Sequence, residues 1–124
     1  MLPEKKQVLI VDDEPNLRKI LAAQLSRDGY DVMTAEDGEQ GLQMLRDHHI
    51  DLVVTDLKMP KVDGMTFFRE LSSENPTLAR RLIFVTGDVA GTEAERFLEE
   101  SGCRWLAKPF RLRDLVRTAR ETIA

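Results

Sequence analysis

Residues 8–13 read Val8-Leu9-Ile10-Val11-Asp12-Asp13, four apolar residues closed by two carboxylates. A strand with one solvated face alternates apolar and polar positions. A run that is apolar at every position suits a strand covered on both faces, as in a parallel sheet flanked by helices. The pattern returns twice: Leu52-Val53-Val54-Thr55 leads into Asp56, and Leu82-Ile83-Phe84-Val85 leads into Thr86. Weaker strands are expected at Tyr30–Ala35 and Arg104–Ala107.

Amphipathic stretches fill the intervals. The first carries Leu17, Ile20, Leu21 and Leu25, admits Pro15 in a first turn that needs no backbone donor, and stops at Gly29. The second runs from about Glu39 to His48 with Leu42 and Leu45 inward. A third begins near Gly64, presents Met65, Phe68 and Leu71, and ends before Pro76. A fourth carries Ala94, Phe97 and Leu98 up to Gly102, and the fifth repeats Leu112, Leu115, Val116, Ala119 and Ile123 on one face. Five strands alternating with five helices, joined by right-handed crossovers, predict an α/β fold. Its form is a (βα)5 doubly wound five-stranded parallel sheet. No repeat or linker interrupts it, so residues 1–124 are expected to be a single domain.

Composition excludes several classes. Eighteen Lys plus Arg against 22 Asp plus Glu give a net charge of −4, which offers no electrostatic footing for nucleic acid. Cys103 is the one cysteine, which excludes an intramolecular disulfide framework and suits a reducing cytoplasm. No apolar run is long enough to span a membrane.

Ligands of open α/β sheets bind beyond the carboxyl ends of the strands. The expected strands deliver Asp12 and Asp13, then Asp56, Thr86 and Lys108 to that edge. Polar loops explain any one of these residues but explain the set poorly. Clustered carboxylates repel and raise at least one pKa unless a cation neutralises them. Oxygen ligands suit a hard ion such as Mg²⁺ (or Mn²⁺), and Lys108, the Thr86 hydroxyl and the Gly87 N–H suit phosphoryl oxygens. A carboxylate nucleophile, a metal and donors for developing charge are what phosphoryl transfer needs.

Four motifs fall in order: Val11-Asp12-Asp13-Glu14; Asp56-Leu57-Lys58-Met59-Pro60 with Asp63-Gly64; Thr86-Gly87; and Lys108-Pro109-Phe110. Together they resemble the receiver domain of two-component response regulators, over Val8 to Ile123. The resemblance implies the flavodoxin-like receiver fold, with Asp56 phosphorylated by a histidine kinase or histidine phosphotransfer protein. It implies Mg²⁺ held by Asp13 directly, Asp12 largely through water, Asp56 and the Lys58 backbone carbonyl. Lys108 would contact the phosphoryl group, and the Lys108–Pro109 peptide is expected to be cis. Thr86 would move to the phosphoryl oxygen while Trp105 turns inward behind it. Lys58 and Asp88 would flank the group and tune its hydrolysis, either approaching each other to hinder attacking water or standing as two solvated charges. Such a domain is not a conventional enzyme, since it promotes only its own phosphorylation and dephosphorylation.

The family also uses its fourth helix, fifth strand and fifth helix as an output surface toward a downstream protein. Glu93, Glu95, Glu99 and Glu100 on one helix and Arg113, Arg117 and Arg120 on the next are compatible there with an activation-linked homodimer. His48 and His49 lie far from the carboxylates, and Cys103 reads as a small packed residue. A dehalogenase-like phosphatase would need a second Asp two residues after Asp56, where Lys58 stands. A degenerate docking module would lack one of the acidic, Thr or Lys positions, all present here. The expectation is a receiver with no output domain in this chain, either stand-alone or excised from a hybrid sensor kinase.

Overall fold

Side chains of successive strand residues point to opposite faces, and the all-apolar runs therefore feed two cores at once. The computed structural model describes residues 5–59, 61–87 and 93–123. Its strands β1 (Gln7–Val11), β2 (Asp31–Ala35), β3 (Leu52–Asp56), β4 (Leu82–Thr86) and β5 (Arg104–Ala107) form one sheet in the order β2-β1-β3-β4-β5. All four pairings are parallel. Leu9, Val11, Val53, Leu82 and Phe84 enter one core, and Val8, Ile10, Leu52, Val54, Ile83 and Val85 enter the other. Complete burial of such a side chain contributes about 1.5–3 kcal/mol.

The helices divide accordingly. α1 (Pro15–Arg27) and α6 (Leu112–Ile123) cover the second core with Leu21, Leu25, Leu115 and Ala119. The first core is covered by α2 (Gly38–Asp47), α3 (Gly64–Glu74), α4 (Pro76–Ala79) and α5 (Glu93–Ser101). Phe84 of β4 meets Phe68 and Phe97 with ring centroids 6.1 and 5.7 Å apart, in the tilted and edge-on geometries that aromatic quadrupoles favour.

Three expectations are amended. Six helices stand among the described residues, because Pro76 both follows the end of α3 and opens the four-residue α4. Asn75 caps that turn by accepting the Leu78 N–H at 3.1 Å. The fourth expected helix is therefore α5 and the fifth α6. On α3 the fully buried aromatic is Phe67, whereas Met65 and Phe68 are half-buried. Leu45 of α2 is likewise half-buried, beside a buried Leu42. Gly29 does follow α1 with a left-handed φ of 99°, a conformation that costs glycine no side-chain clash.

Candidate functional site

β1 and β3 are neighbours, and their carboxyl ends bring Asp12 and Asp56 together with Asp13. One carboxylate oxygen from each of the three lies within 4.8 Å of the others. Asp12 is fully buried, Asp56 nearly so, and Asp13 is exposed. From the end of β5, Lys108 reaches across: its Nζ lies 2.8 Å from Asp56 Oδ2 and 3.8 Å from Asp12 Oδ2. The Lys58 N–H donates to the other Asp56 oxygen at 3.1 Å. The expected like-charge strain is present, though burial is its main cause. Desolvation pushes the Asp12 carboxyl up and the charges of Asp56 and Asp13 add to it, against the Glu14 N–H and Lys108. Burial pushes the Lys108 ammonium down, but its hydrogen bond to Asp56 and the surrounding carboxylates hold it above its ordinary value.

Two buried oxygens in this edge have no hydrogen-bond partner: Asp12 Oδ2 and Thr86 Oγ1. Buried polar atoms are ordinarily bonded, because leaving one unpaired costs about 1–3 kcal/mol. A buried carboxylate oxygen that accepts no hydrogen bond, within a cluster of three carboxylates, matches the donor set a hard divalent cation takes, so these residues fit such an ion. Thr86 ends β4 fully buried, and its carbonyl accepts the Lys108 N–H at 2.6 Å. Gly87 follows with open space where a side chain would stand. The Lys108–Pro109 peptide is cis.

The loop after β3 shows why Asp63-Gly64 accompanies Asp56. Asp63 caps α3 by accepting the Thr66 N–H at 2.8 Å. Gly64 N–H donates to the Leu57 carbonyl at 2.8 Å, so close that a Cβ on Gly64 would stand 2.7 Å from the Asp56 carbonyl oxygen. Only glycine lets the start of α3 pack onto the end of β3 this tightly.

Other expected residues are placed less centrally. Trp105 lies on the edge strand β5 with 37% of its surface exposed, opposite Phe84 in the register. Lys58 is exposed. Asp88, named beside it, lies outside the described residues, as does Pro60. Arg117 pairs with Asp114 on its own helix at 3.1 Å, and Arg120 pairs with Asp28 at the end of α1 at 2.6 Å. Arg120 is thus engaged within the fold, which narrows the basic face read along α6. Cys103 is half-buried and burial raises its thiol pKa, as a packed residue requires. Two contributors escaped the sequence reading. Arg18 donates to the Asp12 carbonyl at 2.7 Å, and Asp51 accepts the Gln7 N–H at 2.8 Å and contacts His49 Nε2 at 2.9 Å. A cleft of about 640 Å³ beside α2, lined by Glu36, Asp37, Gln40, Lys61 and Glu70 among others, includes none of the clustered carboxylates.

A parallel sheet in this strand order, with its charged groups gathered where the chain path reverses between β1 and β3, defines the flavodoxin-like class of α/β domains. Residues 8–120 match the family model of the response regulator receiver domain, and the chain belongs to that family, the receiver domains of two-component signalling. The "Probable transcriptional regulator ycf27" of Porphyridium aerugineum is 35% identical over 120 residues, covering 97% of this chain and 49% of that protein. Sensor protein EvgS of Escherichia coli O157:H7 is 39% identical over 117 residues, covering 94% of this chain and 10% of that protein. The chain therefore spans half or less of these relatives. A solved receiver domain protein from Clostridium thermocellum superposes with a TM-score of 0.85 at 32% identity, covering 95% of this chain and 94% of that one. No helix among the described residues is long and apolar enough to cross a membrane.

Proposed function

We propose that Asp56 accepts a phosphoryl group from a phosphohistidine on a sensor histidine kinase or a histidine phosphotransfer protein. The observation that carries this reading is the gathering of Asp12, Asp13 and Asp56 within 4.8 Å around a buried carboxylate oxygen that accepts no hydrogen bond. An Asp56 oxygen forms a bond to phosphorus as the phosphorus–nitrogen bond of the donor breaks, and the imidazole nitrogen leaves with the electron pair. Asp12, Asp13, Asp56 and the Lys58 carbonyl would hold Mg²⁺ (or Mn²⁺), which when bound offsets charge on the transferring oxygens. Lys108, already on Asp56 at 2.8 Å, follows the group as it arrives, and no atom stands within 4 Å of where a Gly87 side chain would be. The domain then acts as a phosphoacceptor that promotes its own phosphorylation and dephosphorylation rather than as an enzyme with a separate substrate.

The unpartnered Thr86 hydroxyl supports a switch in which it bonds the new phosphoryl oxygen and Trp105 turns inward from its exposed position. The surface of α5, β5 and α6 would change with it and meet a downstream protein or a second copy. Lys58, with Asp88, would slow attack by water, so that Lys58→Ala loses its phosphoryl group faster than the parent. Equal or slower loss would remove that role. The whole of residues 1–124 is read as one receiver unit working in the cytoplasm, with neither nucleic acid nor membrane as a direct partner. The match to a sensor protein over 94% of the chain favours a second setting, a receiver unit within a hybrid histidine kinase.

Incubation with acetyl phosphate and Mg²⁺, followed by intact-mass measurement, tests the central claim. The parent gains one phosphoryl group and Asp56→Asn gains none. No uptake by the parent, or equal uptake by the variant, overturns the assignment.

A further inference from the structure

Arg18 occupies a position that helix electrostatics disfavours. α1 begins at Pro15, so Arg18 lies in its first turn, where unsatisfied N–H groups repel a cation. No acidic residue accompanies it in that turn, and the capping residue Glu14 makes no side-chain cap. The guanidinium is nevertheless half-buried and turned back on the end of β1, with Nη1 donating to the Asp12 carbonyl at 2.7 Å.

That contact completes a set of anchors on a single residue. The Asp12 N–H donates to the Ala35 carbonyl at 3.2 Å, which ties it to β2. Its Oδ1 accepts the Glu14 N–H at 2.9 Å, and its carbonyl accepts Arg18. Every other polar atom of Asp12 is thereby hydrogen-bonded, and Oδ2, buried without a hydrogen bond, has the Lys108 ammonium at 3.8 Å beside it. With the backbone fixed at both its N–H and its carbonyl, and the carboxylate plane fixed through Oδ1, the direction of Oδ2 is set before any ion arrives. Preorganised ligands of this kind bind more tightly because little ordering remains to be done.

We propose that Arg18 is a positioning residue of the acidic cluster, holding the Asp12 carbonyl so that the Asp12 carboxylate presents Oδ2 to a divalent cation. The inference rests on the reading of Asp12, Asp13 and Asp56 as a cation site. A purely electrostatic role makes the opposite forecast. Neutralising a cation beside an anionic cluster should tighten metal binding, whereas loss of positioning weakens it.

The experiment titrates Mg²⁺ alone into the full chain by calorimetry, using the parent, Arg18→Gln, Arg18→Lys and Asp13→Asn, with metal-free melting curves for each. Outer partners of metal ligands typically account for roughly 10- to 100-fold in affinity. Arg18→Gln is accordingly expected to bind at least roughly tenfold more weakly than the parent despite the removed positive charge. Arg18→Lys, which keeps a donor and a charge, recovers part of the loss. Asp13→Asn also binds weakly, which locates the ion in the cluster. Should Arg18→Gln fail to fold, Arg18→Met retains the apolar stem and carries the same expectation. Parent-like or tighter binding by a folded neutral variant overturns the assignment of Arg18 alone. Absence of saturable binding by the parent overturns the cation-site reading and the Arg18 assignment with it.

Discussion

Lys108 and Asp56, 52 residues apart in the chain, meet at 2.8 Å across the carboxyl edge of the sheet. This contact satisfies an ammonium that burial would otherwise push toward neutrality, and it keeps one oxygen of the Asp56 carboxylate engaged. Removing Lys108 leaves Asp56 and Asp12 without their shared cation. Lys108→Ala is expected to bind beryllofluoride, a phosphoryl mimic, at least roughly tenfold more weakly, the scale of one charged hydrogen bond at about 1.5–3 kcal/mol. Trp105, the sole tryptophan, supplies the signal. Its fluorescence should change in the parent when Mg²⁺ and beryllofluoride are added together, and should hardly change in the variant.

Asp12 makes the metal-free protein pH-sensitive with a definite sign. Its folded carboxyl titrates above the ordinary 3.8, so within the window between the two values the folded chain binds more protons than the unfolded chain. Stability therefore falls as pH rises through that window, and the penalty is complete only above the folded value. Asp12→Asn should melt roughly 3–5 °C higher than the parent at pH 7 without metal, as about 1 kcal/mol does in a domain of this size. The advantage should shrink as pH drops toward 4. Added Mg²⁺ should raise the parent's midpoint and leave the variant's nearly unmoved. A variant that melts lower at pH 7 would contradict the account.

At the opposite end of the sheet Asp51 acts with the reverse sign. Burial pushes its carboxyl up, but the Gln7 N–H and His49 together outweigh this and hold it below 3.8. Its contribution is present above the unfolded value and is lost as pH falls through the folded one. Asp51→Ala should lose about 1–2 kcal/mol in urea denaturation at pH 7, since a nearly buried acceptor of the Gln7 N–H disappears. The gap between parent and variant should close in strong acid.

Gly64 links stability to chemistry. A methyl there would sit 2.7 Å from both the Asp56 carbonyl oxygen and the Leu57 Cα, neither of which is a flexible side-chain end. Gly64→Ala should cost about 1–3 kcal/mol of stability, the range for an overpacked site. It should also slow phosphoryl uptake from acetyl phosphate at a temperature where the variant remains folded. Unchanged uptake would mean that α3 yields without disturbing the acceptor.

The sheet was legible because β1, β3 and β4 are apolar at every position and end in chemistry-bearing residues. A doubly covered sheet buries both faces of Val8–Val11 and Leu82–Val85. The short α4 was not legible, since four residues carry no periodicity and Pro76 served two purposes at once. Asn75 immediately before that proline was the available cue, as a side chain able to cap a turn. A helical stripe drawn from Met65 passes through Phe68, whereas the fully buried ring is its neighbour Phe67. On the site, the charged residues were legible from their places at strand ends. The partners that hold them were not, because backbone carbonyls such as that of Asp12 leave no mark in a sequence. Arg18 did leave one: a cation in a helix's first turn, against the dipole.

The pairing of Lys108 with Asp56 also has a temporal side. Chains are made from the amino end, so the three carboxylates leave the ribosome long before the lysine that neutralises them. Until β5 adds to the edge of β4, the emerging sheet carries its negative charges without a fixed counter-charge. Under the proposed phosphoacceptor reading, competence to receive a phosphoryl group is thus a late property of synthesis. A chain released before residue 108 would hold Asp12, Asp13 and Asp56 yet lack the ammonium that completes the cluster.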